Sequence, residues 1–148
     1  WPPDRFRALI DGLVHQFDFS IILTGATKDR ELTRAISQKI NSRRLIDMTG
    51  KTSLKQMIAL MKRVDLLISA DSGPLHMASS VGTKVIGLYG PTRPEVTGPR
   101  GTAKAVVLQK DVGCNVQPCY FLDCPSNVCM QSLKVEDVID AVRKIVHS

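Results

Sequence analysis

Two short apolar runs constrain the fold of this chain more than any other feature. Residues 66–70 read LLISA, residues 84–89 read KVIGLY, and a short helical segment over 74–81 that stops at Gly82 joins them. Strands that are apolar along their whole length are typical of parallel sheets covered on both faces. Because a strand–helix–strand crossover is right-handed, the two strands run parallel. The pattern therefore predicts an α/β fold.

The other segments continue this alternation of strands and helices. Short β-rich runs over 20–24, 45–48 and 105–108 predict strands, and apolar residues at helical spacing predict helices over 6–17, 29–41, 53–64 and 135–146. We expect Leu32 and Ile36 to face inward in the second helix, and Leu54 and Met61 in the third. Residues 91–103 and 113–130 are predicted loops. A length of 148 residues suits one domain, 1–148.

A polar junction follows the first apolar run. Residues 71–76 read Asp71-Ser72-Gly73-Pro74-Leu75-His76 and open the short helix. Helix N-termini carry free N–H donors and partial positive charge, so the junction predicts a phosphate cradle with polar side chains around it. The structural alternatives are that Asp71 or Ser72 caps the helix and that His76 is an ordinary partly buried histidine.

Three further turns are expected at the same edge of the sheet. They are Gly25-Ala26-Thr27, Gly50-Lys51-Thr52 and Gly90-Pro91-Thr92, and each follows a predicted strand. Ligands of parallel sheets bind outside the carboxyl ends of the strands. The structural alternatives are that Thr27 caps the helix over 29–41 and that Thr52 or Ser53 caps the helix over 53–64.

Composition and missing motifs narrow the function. The net charge of +6 favours an anionic ligand. Nucleic acid is not the favoured ligand, because aromatic residues are only 5% of the chain and the sequence shows no stacking platform of aromatic residues interleaved with Lys or Arg. No Gly-x-Gly-x-x-Gly or P-loop pattern occurs, which argues against a dinucleotide oxidoreductase or an ATPase. No third residue completes a hydrolytic triad with Asp71 and His76.

Four cysteines recur every five residues in the predicted loop over 113–130: Cys114, Cys119, Cys124 and Cys129. Reduced structural cysteines are the first interpretation. A Zn²⁺ site on the four thiols is the second, although compact zinc sites usually show C-x-x-C pairs. Two disulfides are the third, since they require an oxidising compartment.

These residues resemble a known family. The stretch Asp71–Ala78, followed by Gly87-Leu88-Tyr89-Gly90-Pro91-Thr92, is similar to the C-terminal domain of glycosyltransferase family 9, the bacterial heptosyltransferases of lipopolysaccharide core assembly. Trp1-Pro2, the turn 50–54 and the cysteine-rich segment ending in Cys129-Met130 fit the same pattern. The resemblance implies a Rossmann-like parallel sheet with flanking helices, as the C-terminal half of a GT-B glycosyltransferase.

The resemblance also implies roles for individual residues in binding a nucleotide-sugar donor, typically ADP-heptose. Asp71 would hold sugar hydroxyls, His76 would contact the donor nearby, and Ser72, Gly73 and Pro74 would present the turn's backbone to the diphosphate and sugar. Thr52 would lie against the adenine, with Lys51 beside it in the same turn. Thr27 stands where the family places an acidic residue on the ribose.

The implied reaction is an inverting sugar transfer that needs no metal and no cofactor. The family's phosphate-binding threonine and lysine precede the Trp-Pro pair, and its catalytic base lies in an N-terminal acceptor domain. We therefore expect residues 1–148 to be part of a longer enzyme, to contain no catalytic residue and to be inactive alone. The resemblance implies a cytoplasmic enzyme at the inner face of the bacterial inner membrane, with peripheral membrane association and a lipid-linked saccharide acceptor.

Two other functions stay open from the sequence. One is a non-catalytic nucleotide-sugar binding module. The other is a metal-binding interaction domain built on the four cysteines.

Overall fold

The structure is a computed structural model, and it describes residues 1–101, 103–119, 121 and 124–146. The chain divides into two compact units. The N-terminal unit comprises Pro2–Met57, and the C-terminal unit comprises Ile58–Ser148 together with Trp1. The single domain over 1–148 stays a prediction.

The N-terminal unit is a small α/β layer. It contains α1 (Pro3–Gln16), β1 (Ile21–Leu23), a 3₁₀ turn (Thr27–Asp29), α2 (Arg30–Ser37), β2 (Leu45–Asp47) and the start of α3 (Leu54–Met61). Strands β1 and β2 pair in parallel, with Ile21 opposite Leu45. The core is formed by apolar side chains of α1, α2, β1, β2 and the segment after α2, namely Phe6, Ile10, Val14, Ile21, Leu23, Ile36, Ile40 and Leu45.

The C-terminal unit is built on a three-stranded parallel sheet in the order β3-β4-β5. Its elements are the end of α3, β3 (Leu66–Ala70), α4 (Gly73–Ser80), β4 (Lys84–Leu88), α5 (Pro94–Thr97), β5 (Ala105–Leu108), α6 (Val128–Gln131) and α7 (Val135–Val146). Helix α4 contacts β3 and β4, and α7 contacts β4 and β5. Adjacent residues Val85 and Ile86 are both fully buried, so both faces of β4 are covered.

The central strand carries a glycine that packing requires. A Cβ atom added at Gly87 would lie 2.7 Å from Tyr89 Cε2 and 3.1 Å from Leu75 Cδ2. Both neighbours are fully buried, so neither side chain has room to move away. Gly87 therefore gives Tyr89 and Leu75 their space at the end of β4.

The structure confirms the α/β class with parallel strands, and it corrects several details. The strands of the described residues form two ladders, β1-β2 and β3-β4-β5. Leu32 and Leu54 are 46% and 64% exposed, so their predicted inward orientation is wrong. Helix α2 begins at Arg30 and buries Ile36, as predicted, with Thr33 in place of Leu32. The predicted loop over 91–103 contains α5, which Pro94 opens at the first helical position.

The search for membrane-spanning helices, made over the described residues, found no helix with the length and apolarity that a span requires.

Candidate functional site

The carboxylate of Asp71 is the centre of a hydrogen-bond network at the carboxyl end of β3. The hydroxyls of Thr92 and Thr97 both donate to Oδ2, at 2.7 and 2.9 Å. Nε2 of His76 lies 3.3 Å from Oδ1, and an ionised carboxylate only accepts, so Nε2 carries the hydrogen. The two oxygens of a carboxylate accept about four hydrogen bonds, so Oδ1 retains room for one further donor.

The network keeps Asp71 ionised. Burial by itself would raise the pKa of Asp71, because burial disfavours the charged form. The hydrogen bonds from Thr92, Thr97 and His76 outweigh burial and hold the pKa below its ordinary value. Only 16% of the Asp71 side chain is exposed, against 43% for His76. The imidazole is therefore the more accessible of the two groups, with Nδ1 free of the bond to Asp71.

The turn that opens α4 is held by serine side chains. The Ser72 hydroxyl donates to the Ala70 carbonyl at 3.0 Å and lies 3.0 Å from the hydroxyl of Ser69. Ser72 occupies the N-cap position, yet its side chain makes no capping bond to the helix. Asp71 likewise bonds Thr92, Thr97 and His76. The structural alternative, in which Asp71 or Ser72 caps the helix, is therefore not what the structure shows.

Gly73 leaves the front of this turn open. A Cβ atom added at Gly73 would meet no atom of the described chain within 4 Å. Packing of the described residues therefore does not demand glycine here, in contrast to Gly87. A glycine at such a turn allows a ligand to approach the backbone closely. Pro74 follows at the second helical position, where its missing N–H costs no helical hydrogen bond.

Side chains from two glutamines fix the turn that carries Thr92. Nε2 of Gln109, directly after β5, donates to the carbonyls of Gly90 and Thr92, at 3.0 and 2.7 Å. Nε2 of Gln117 also donates to the Gly90 carbonyl, at 2.7 Å. The Cys119 N–H donates to the carbonyl of Pro91 at 3.1 Å. All three carbonyls of the turn are thus bonded, which sets the position of the Thr92 hydroxyl.

Tyr89 orients the other hydroxyl donor. Its ring is fully buried, and its phenol donates to the Thr97 carbonyl at 3.0 Å. Burial raises the pKa of Tyr89 to about 12, and the nearby charge of Asp71 acts in the same direction. The phenol therefore stays protonated at physiological pH and remains a donor. Tyr89 and Thr92, two residues of one sequence motif, both act on the surroundings of Asp71.

Three predicted site residues lie in the N-terminal unit. Thr27 starts the 3₁₀ turn, and the carboxylate of Asp29 bonds the Ala26 N–H there at 2.8 Å. Nζ of Lys51 donates to the Asp47 carbonyl at 2.5 Å. The hydroxyl of Thr52 is buried and has no hydrogen-bond partner among the described residues. The donor-binding roles of Thr27, Lys51 and Thr52 stay predictions.

Two turns of the N-terminal unit lie side by side, as expected for neighbouring parallel strands. The Gly50 N–H donates to the Gly25 carbonyl at 2.9 Å, and Nη2 of Arg30 donates to the Gly50 carbonyl at 3.0 Å. Gly50 has φ +65°, and a Cβ atom there would lie 2.9 Å from the Thr27 Cα. The sequence fragments 25–27 and 50–52 therefore meet in space, and glycine is required for their contact.

The capping alternative is confirmed for Ser53. Its hydroxyl accepts from the Gln56 N–H at 3.4 Å, while Oε1 of Gln56 accepts from the Ser53 N–H at 2.8 Å. This reciprocal pair is a capping box at the start of α3. Ser53 therefore caps the N-terminus of α3, and Thr52 is not needed as a cap.

The four cysteines share one region of the C-terminal unit. They are free thiols that lie around a largely apolar cavity of about 310 Å³, with Pro91 also in its wall. Within the part of the chain that the structure describes, no group of three or more His, Cys, Asp or Glu side chains is arranged to hold a metal ion. The Zn²⁺ site on the four thiols therefore stays a prediction.

Sequence reasoning missed three contributors to the Asp71 network: Thr97, Gln109 and Gln117. One sequence signal pointed to Thr97. Proline is common at the first position of a helix, so Pro94 predicts a short helix that ends near Thr97. Nothing in the sequence pairs Gln109 or Gln117 with residues 90–92, because their bonds depend on the tertiary arrangement.

Comparison with known proteins agrees with this architecture. The family model described as glycosyltransferase family 9 (heptosyltransferase) matches residues 1–122. The lipopolysaccharide core heptosyltransferase OpsX of Haemophilus influenzae is 34% identical, over 93% of this chain and 42% of its own length. The chain thus spans about two fifths of the length of this curated relative.

Solved structures agree as well. The glycosyl transferase family 9 structure from Veillonella parvula matches 100% of this chain and 42% of its own chain, with 29% identity and a TM-score of 0.84. The Escherichia coli heptosyltransferase WaaC with ADP matches 97% of this chain and 39% of its own, with 20% identity and a TM-score of 0.73, and shares the fold. On the strength of the family match over residues 1–122, the chain belongs to glycosyltransferase family 9, the heptosyltransferase family.

Proposed function

We propose that residues 1–148 are the nucleotide-sugar-binding part of a heptosyltransferase-like glycosyltransferase, with ADP-heptose as the donor. The observation that carries the proposal is the Asp71 carboxylate, which is held ionised and retains one accepting position on Oδ1. A sugar hydroxyl is the kind of donor that such a position accepts. Family membership and the WaaC structure with ADP support the choice of an adenine nucleotide.

The backbone at the start of α4 complements this carboxylate. The open front of Gly73 and the N-terminus of α4 suit the diphosphate, because helix N-termini favour negative charge. His76, with Nδ1 available, would contact the donor beside the sugar. The turn Ser72-Gly73-Pro74 and the pair Asp71 and His76 would thus meet adjacent parts of one ligand.

The transfer reaction is assigned to the whole protein. An acceptor hydroxyl would attack the anomeric carbon as the bond to the nucleoside diphosphate breaks, with inversion and with loss of the hydroxyl proton to a base. Residues 71–76 would hold the donor during this step and stabilise the leaving diphosphate. We propose a lipid-linked saccharide of the lipopolysaccharide core as acceptor, and a cytoplasmic enzyme that associates peripherally with the inner face of the inner membrane.

Calorimetric titration of the 148-residue chain tests donor binding. ADP-heptose is compared with ADP, and with UDP-glucose and GDP-mannose as other nucleotide sugars. We expect ADP-heptose to bind best, and Asp71→Asn to weaken its binding by about tenfold or more, as loss of a charged hydrogen-bond acceptor implies. His76→Ala should weaken it as well.

Asp140→Asn is the matched control. Asp140 is an exposed carboxylate of the same unit that pairs with Arg143, away from the Asp71 network. Its replacement should leave the affinity unchanged. The proposal is refuted if wild type binds none of the nucleotides, or if Asp71→Asn and His76→Ala both bind ADP-heptose as tightly as wild type.

A further inference from the structure

Two threonines outside the Asp71–His76 turn define which side of the Asp71 carboxylate is available. We propose that Thr92 and Thr97 are positioning residues of the donor site: their hydroxyls occupy Asp71 Oδ2 and leave Oδ1, next to His76, as the oxygen that meets the donor. This inference rests on the proposed function and adds two residues to it.

The distances favour this assignment of the two oxygens. Thr92 and Thr97 lie 2.7 and 2.9 Å from Oδ2, so both accepting positions of that oxygen are filled. The Thr97 hydroxyl also lies 3.2 Å from the carbonyl of Arg93. Its one hydrogen goes to the closer and charged acceptor, because hydrogen bonds to ionised groups are the stronger ones.

The two hydroxyls are themselves fixed by independent parts of the unit. Gln109 and Gln117 bond the backbone of the turn that carries Thr92. The buried phenol of Tyr89 bonds the carbonyl of Thr97. The carboxylate is thus held by two donors, each with its own support, and cannot rotate without breaking at least one of these bonds.

The fixed carboxylate in turn fixes the imidazole. Because Oδ1 accepts from Nε2 of His76 at 3.3 Å, the ring presents Nδ1 away from Asp71. Loss of either threonine hydroxyl would leave Oδ2 with one donor in place of two, and the less constrained carboxylate could then shift and change the ring's orientation. Neither threonine needs to touch the donor for its loss to weaken donor binding.

The test uses Thr97→Val and Thr92→Val, which remove the hydroxyls while keeping the β-branched shape, and Thr97→Ser, which keeps the hydroxyl. Carbon-13 NMR of the Asp71 carboxyl follows its titration in the donor-free chain, and calorimetry gives the affinities for ADP and ADP-heptose. We expect both valine variants to raise the pKa of Asp71 and to weaken ADP-heptose binding by about tenfold, the effect of one lost hydrogen bond to a charged group. Binding of ADP should be unchanged, and Thr97→Ser should resemble wild type in both measurements.

Thr83→Val is the matched control. The Thr83 hydroxyl is buried in the same unit and donates to the Met61 carbonyl at 2.5 Å, outside the network. It should lower thermal stability while leaving the Asp71 titration and both affinities as in wild type. A Thr83→Val effect on Asp71 as large as that of Thr97→Val would overturn the proposal.

The outcomes separate this inference from the proposed function. If Asp71→Asn weakens ADP-heptose binding while Thr92→Val and Thr97→Val leave both readouts unchanged, the positioning role is wrong and the proposed function stands. If wild type binds no nucleotide sugar, the proposed function and the positioning role of Thr92 and Thr97 are both refuted, whatever the titration of Asp71 shows.

Discussion

The hydroxyl of Thr97 donates to Asp71 Oδ2 at 2.9 Å, and it joins a one-turn helix to the end of a strand 26 positions earlier. Thr92 donates to the same oxygen from the turn that follows the neighbouring strand β4. Three stretches of the C-terminal unit therefore meet at one ionised carboxylate. The consequences for stability and binding are separable by experiment.

Asp71 should make stability depend on pH. Its pKa is lowered in the folded chain, so its contribution is present above the unfolded value of about 3.9 and is lost as the pH falls through the folded value. We expect Asp71→Asn to cost about 2 kcal/mol of unfolding free energy at pH 7, and less at pH 3. Urea denaturation at both pH values measures this. Thr83→Val, which removes no charge, should show the same loss at both, and a constant loss for Asp71→Asn would contradict the prediction.

Gly73→Ala should separate binding from folding. The added methyl group meets no described atom within 4 Å, so we expect unfolding free energy to stay within about 1 kcal/mol of wild type. The methyl group blocks close approach to the turn backbone, and affinity for ADP-heptose should fall by more than about tenfold. Calorimetry and urea denaturation of the same preparation decide the matter. A variant that binds like wild type would remove Gly73 from the site.

The same substitution at Gly87 should lower the unfolding free energy, in contrast to Gly73→Ala. Its Cβ atom would lie 2.7 Å from the buried ring of Tyr89, so the core must shift to admit it. Overpacking of this kind costs about 1–3 kcal/mol. Thermal or urea unfolding of Gly87→Ala beside Gly73→Ala measures the contrast, and equal stabilities of the two variants would show that the close contact at Gly87 is not limiting.

The capping box at α3 should contribute measurable stability. Ser53→Ala removes the acceptor for the Gln56 N–H and should cost about 1 kcal/mol, and Gln56→Ala should cost a similar amount because each residue serves the other. Ser80→Ala is the control, since that hydroxyl is exposed and donates to the Met77 carbonyl within its own helix. It should change stability by less than about 0.5 kcal/mol. Equal effects of Ser53→Ala and Ser80→Ala would argue against the cap.

Cys124 should be the most reactive of the four thiols. The hydroxyl of Ser126, 3.5 Å away, lowers the pKa of Cys124, and backbone N–H groups of Asn127 and Ser126 act in the same direction. Cys124 is exposed, whereas the other three cysteines are partly buried. A time course of iodoacetamide labelling at pH 7, read by peptide mass spectrometry, should show Cys124 modified first and more slowly in Ser126→Ala. Faster labelling of another cysteine would contradict this.

The sequence predicts the parallel α/β class and the position of the Asp71 turn, because apolar runs and turn residues are local signals. The strand over 66–70 is an example, since its predicted and observed bounds agree. The exposure of Leu32 and Leu54 was not predictable, because helical spacing alone does not say where a helix begins. The hydrogen bonds that Asp71 makes could not be predicted from the local sequence either. A carboxylate before a helix usually caps it, and only the tertiary position of Thr92 and Thr97 redirects it.

The hydrogen bonds from Gln109 and Gln117 to residues 90–92 also have a consequence for folding during synthesis on the ribosome. A nascent chain that ends before Gln117 already contains the residues of β3, α4, β4 and β5, yet it lacks one of the donors that hold the turn bearing Thr92. The proposed donor site is therefore completed only after Gln117 has been synthesised. Stalled chains of increasing length should acquire nucleotide affinity only after this second glutamine has left the exit tunnel.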